Sequence, residues 1–127
     1  MKRFLILLVL VVLSVTASQA LAAGQKAKPA ARAATLKGEI VDLGCYLGHG
    51  AKGAEHMGCA SKCIAGGMPM GLLTADGKLY LLTLDHENAD PYNKCKDLAA
   101  ATVEVRGQLM ERNGMLALDV TDVKPAK

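Results

Sequence analysis

"TVEVRGQLMERNGMLALDVTDV", residues 102–123, decides the fold. Val103, Val105, Gly107 and Leu109 alternate with polar residues. Asn113-Gly114 follows, and then Leu116, Leu118 and Val120 alternate in turn. A period of two marks strands with one buried face, and Asn-Gly between two such runs marks a tight hairpin. Gly107, midway along the first run, suits a sharp bend of the kind a small barrel requires.

Upstream, "MGLLTADGKLYLLTL" (70–84) repeats the arrangement, with two apolar runs around Ala75-Asp76-Gly77-Lys78. Between the two hairpins, Asp90-Pro91 announces a helix over 91–100, with Asp90 as its cap and Pro91 in its first turn. "TLKGEIVDLGC" (35–45) reads as a first strand, with a β-branched centre and flanking glycines. "YLGHGAKG" (46–53) reads as a glycine-dense loop, and "AEHMGCASKCIA" (54–65) as a short helix stopped by Gly66-Gly67. Strands are thus expected near 36–44, 70–75, 78–84, 102–110 and 114–121. The fold class is mainly β with short helices: a five-stranded OB-like barrel with a cysteine-bearing helical insert between strands 1 and 2.

The remaining chain is not barrel. "MKRFLILLVLVVLSVTASQALA" (1–22) has a basic start, an apolar run from Phe4 to Leu13 and small residues at Ala20-Leu21-Ala22. It reads as a secretory signal peptide cleaved after Ala22; an uncleaved anchor is the alternative. The apolar run is short for a membrane span of ~20 residues, so no membrane association is expected after the signal is removed. Residues 23–35, Ala-rich and carrying Lys26, Lys28 and Arg32, read as a flexible tether. The OB-like domain is placed at 36–124, and the protein in the periplasm or outside the cell.

The formal net charge of +3 belongs to the leader and tether; from Leu36 onward 10 Lys and Arg stand against 12 Asp and Glu, a net of −2. Past the leader the aromatic residues are Tyr46, Tyr80 and Tyr92. A nucleic-acid binder would carry a basic face and stacking aromatics, so that partner class is not expected.

All four cysteines, Cys45, Cys59, Cys63 and Cys95, lie in the domain. On a helix, His56, Cys59 and Cys63 are spaced three and four apart and project from one face. Cys45, at the end of the first strand, can supply a fourth ligand. Three thiolates and an imidazole make a closed tetrahedral set suited to zinc, whereas Cu(I) would also accept thioethers from Met57, Met68 or Met70. His49 is a candidate replacement for His56; His86 reads as a polar loop residue. The competing reading is a disulfide-stapled interaction module with neither metal nor catalysis, because four cysteines in a small exported domain commonly pair. An exported protein partner fits either reading. No nucleophile–histidine motif, phosphate loop or carboxylate pair points to an enzyme.

Three resemblances carry further expectations. From Leu36 to Val123 the element order, and above all the ending "VEVRGQLMERNGMLALDV", resembles small exported bacterial OB-fold proteins, which implies the fold and not an activity. Asp42-Leu43-Gly44-Cys45-Tyr46, followed by His56-x-x-Cys59-Ala60-x-x-Cys63, resembles an uncharacterised Cys-rich type of exported bacterial protein. The pair Cys59-Ala60-Ser61-Lys62-Cys63 is also similar to the Cys-x-x-x-Cys of the copper centre in cytochrome oxidase subunit II and of its copper chaperones. In that pattern a histidine and a methionine follow the second cysteine; the corresponding positions here are Gly67 and Met70, so the methionine matches and the histidine does not. The function expected is an exported small metal-binding or metal-handling protein using zinc or copper at Cys45, His56, Cys59 and Cys63.

Overall fold

The computed structural model describes residues 31–127. The expected signal peptide (1–22) and most of the expected tether lie outside the described residues. Five strands close a barrel: β1 (Arg32–Asp42), β2 (Met70–Thr74), β3 (Leu79–Leu84), β4 (Thr102–Arg112) and β5 (Met115–Pro125). The order around the barrel is β1-β2-β3-β5-β4. All neighbours are antiparallel except β3 and β5, which run parallel with Leu82 beside Leu118. Parallel neighbours need a crossover, and α3 (Asp90–Lys96) lies on the path from β3 to β4.

Local chemistry explains the connections. Asn113 (φ 52°) and Gly114 (φ 83°) take the left-handed conformations that a two-residue hairpin demands, between the paired Arg112 and Met115. The ladder between β4 and β5 shifts register at Arg106/Gly107. A methyl group at position 107 would run into the Asp119 carbonyl, so the bend needs glycine. The alternating residues fill the interior: Ile40, Leu72, Leu82, Val103, Val105, Leu118 and Val120 are buried in one core cluster.

Four expectations need correction. The first strand begins at Arg32, four residues inside the stretch expected to be tether, and Arg32–Thr35 pair with Leu109–Arg106 of β4. Neighbouring backbone overrides a composition that lacks apolar periodicity, because β4 is long enough to offer ladder partners there. Leu43–His49 is not loop but a short helix, α1, opened by Asp42 and closed by Gly50 (φ 74°). Its caps outweigh its glycines. Asp90 is not the cap of α3: it lies within the helix, and its N–H donates to the side chain of Asn88 at 3.1 Å. The helix ends at Lys96, earlier than expected; Leu98 and Ala99 still pack on the core from the turns that follow. No helix of the described residues is long and apolar enough to cross a membrane.

Candidate metal centre

The insert between β1 and β2 sits on one end of the barrel and consists of α1, a 3-10 turn at Ala54–His56, and α2 (Met57–Ala65). Ala60 and Ile64, four apart on α2, are buried in the barrel core. Cys59 and Cys63 lie one position back on the same helix, so their stripe is rotated about 100° from the seated one. Packing of the apolar stripe therefore fixes the direction of the two thiols. The chain reverses after α2 in a Schellman turn: Gly67 (φ 101°) donates to Ile64 O at 3.0 Å and Met68 donates to Cys63 O at 2.9 Å. Met68 then lies over Gly44, its Sδ and Cε 2.8 Å from where a Cβ would stand. Asp42 Oδ1 is 3.3 Å from the same point. Glycine at 44 leaves room for that thioether beside Asp42 and the first turn of α1.

Asp42 ends β1 and caps α1. Its Oδ1 accepts the Cys45 N–H at 3.1 Å. This bond sets the first turn of α1 and with it the position of Cys45. Asp42 is 1% exposed and is the one buried charged residue of the described chain. Its other oxygen, Oδ2, stands 3.5 Å from His56 Nε2. Both atoms are buried and, among the described residues, neither has a hydrogen-bond partner.

Two compact sets of ligand atoms result. The sulfurs of Cys45, Cys59 and Cys63 lie within 4.8 Å of one another, and so do ligand atoms of Asp42, Cys45 and His56. Either set is close enough to hold a metal ion. No family model, curated protein or solved structure matches this chain.

The electrostatics are those of thiols beside a buried anion. Hydrogen bonding to Asp42 is the largest cause that pushes the Cys45 thiol up to about 12; burial, the Asp42 charge and Cys59 add to it. Burial followed by Cys59 also raises Cys63. For Asp42 itself burial pushes upward, but the Cys45 thiol and N–H, the nearby His56 ring and the Gly44 N–H outweigh it and hold the carboxyl below 3.8. The cluster thus favours protons or another cation on its sulfurs.

Of the four residues expected to ligate, Cys45, Cys59 and Cys63 come together, while His56 joins Cys45 in company with Asp42. His56 stands in the 3-10 turn just before α2 rather than on the helix itself, and Cys45 on α1 rather than at the end of the strand. His49 is exposed, its ring edge-on to His56 at 6.4 Å, and it belongs to neither set. His86 is exposed, as its loop position implied. Met70 is wholly buried in the core cluster and serves as packing there. Asp42, quoted in the motif before Cys45, does not read as a ligand because it looks like one more alternating residue of a strand; its signal is position, immediately before a cysteine-bearing helix start.

All four cysteines are free thiols, so the disulfides of the competing reading are not formed. Three sulfurs share one place, so pairing any two of them leaves an odd thiol. Cys95 stands in neither set: it is buried in the core, where burial raises its thiol to about 11.

Proposed function

We propose that this is an exported metal-handling protein that carries a thiophilic ion, zinc or copper, on Cys45, Cys59 and Cys63. The convergence of three sulfurs within 4.8 Å from two separate helices carries the reading. Thiolates select Cu(I) and Zn(II) over hard cations. Two further observations favour handling over a purely structural ion. The barrel closes on its own apolar core, and α2 is anchored in that core by Ala60 and Ile64. Cys59 is exposed, so an incoming ligand can reach the ion and exchange it. Export is supported by the basic, apolar and small-residue pattern of residues 1–22.

Anaerobic titration of reduced protein with Zn(II), Co(II) and Cu(I) tests the proposal. Co(II) should give thiolate charge-transfer absorption, and Cys45→Ser, Cys59→Ser and Cys63→Ser should each weaken binding at least tenfold. Equal binding by all variants and the parent would overturn it.

A further inference from the structure

We propose that the centre is dinuclear: a second divalent cation is held by Asp42 and His56, with Cys45 as a thiolate bridging it to the ion on Cys59 and Cys63. This rests on the thiolate-centre reading above and extends it. The two ligand sets share Cys45 alone. They are two adjoining sites with a common corner, not one five-ligand shell.

The second corner is shaped for an ion. Asp42 Oδ2 and His56 Nε2 face each other across 3.5 Å, buried and, among the described residues, without hydrogen bonds. The Asp42 side chain is 0% exposed and that of His56 is 18% exposed. Hydrogen bonds from nitrogen to oxygen fall at ~2.7–3.2 Å, so the pair is too far apart for a good one. Two ligands at ~2.0–2.2 Å from one tetrahedral ion stand about 3.4 Å apart. The observed separation is the edge of such a tetrahedron. Asp42 Oδ1 is already occupied by the Cys45 N–H, which leaves Oδ2 free to ligate and holds its direction.

Charge points the same way. Three thiolates and a carboxylate carry four negative charges. One divalent ion leaves two of them uncompensated beside a buried carboxylate, a costly arrangement. Among the described residues, Asp42 has no lysine or arginine within ion-pair distance; its one such neighbour is His56. Two divalent ions bring the cluster to neutrality.

Co(II) titration of the reduced full chain, with bound ions counted per chain and magnetic susceptibility recorded, tests this. The parent should bind two, and the second should lower the moment per ion through coupling across the Cys45 sulfur. His56→Ala and Asp42→Asn should each bind one and keep the thiolate charge-transfer band. Asparagine also caps helices, so Asp42→Asn keeps the start of α1, and circular dichroism checks both variants. One ion per chain in the parent, or two in both variants, would overturn the dinuclear centre while leaving the thiolate site standing. No ion at all would instead remove the reading on which it rests.

Discussion

Asp42 joins fold and chemistry in one side chain. One oxygen caps α1 through the Cys45 N–H, and the other faces His56. Losing a capping oxygen costs about 0.5–2 kcal/mol. Asp42→Ala should therefore lower the stability of the metal-free protein by about that amount in urea unfolding, whereas Asp42→Asn, which can still accept the bond, should lose less. Equal losses would show that the cap contributes nothing. The same carboxylate holds the Cys45 thiol at about 12. With the folded pKa raised from 9.0, this group's contribution to stability is complete below pH 9 and fades as pH rises toward 12. Replacing Asp42 by Asn removes the charge that opposes the thiolate, so Cys45 should ionise at lower pH. Ultraviolet thiolate absorbance followed through a pH titration checks this, and superimposable curves for parent and variant would contradict it.

At the scale of elements, α2 separates packing from chemistry by one residue of rotation. Ile64→Ala should cost roughly 2–4 kcal/mol, because it opens a cavity in the core. Cys59→Ser, on the exposed side of the helix, should stay within about 0.5 kcal/mol in the metal-free protein. Comparable losses from the two would mean that the helix is held by its thiols. The β2–β3 turn offers a pH test. Asp76 accepts from the Thr74 hydroxyl and pairs with Lys78, and these two neighbours, Thr74 first, hold its carboxyl at about 2. A depressed folded pKa gives stability that is present above 3.8 and lost as pH falls through 2. Any melting-temperature advantage of the parent over Asp76→Asn should shrink between pH 4 and pH 2; a constant gap would show that the carboxylate's charge plays no part. Such turns were legible in the sequence because Asp76-Gly77 and Asn113-Gly114 leave the backbone few alternatives, and the bend at Gly107 was legible for the same reason. The start of β1 was not, because Arg32–Thr35 become strand through β4 rather than through their own preference. Nor was α1, whose identity lies in two capping residues instead of in apolar periodicity. The three sulfurs were legible as a spacing. The inclusion of Asp42 was not, since it depends on how the end of β1 meets α1 and the turn at His56.

At the scale of the whole molecule, the decisive relation is between the barrel and the ion. Small metal domains that lack a core unfold when the metal is removed, because binding energy is their folding energy. Here fourteen of the described residues form one buried core cluster, and none of the proposed metal ligands is among them. Cys95, the cysteine that is, belongs to neither ligand set. The metal should therefore stabilise a fold that already exists. At a free concentration one hundred times Kd, an ion that binds the folded form alone adds about 2.7 kcal/mol. For a domain of this size that corresponds to a rise in melting temperature of roughly 10–20 °C. Chelation should reverse the rise and leave a cooperative transition with the far-ultraviolet dichroism of the barrel intact. A chelator that abolished the cooperative transition would show that the ion builds the fold, and the insert would then be a structural metal site rather than a place where a metal is taken up and passed on.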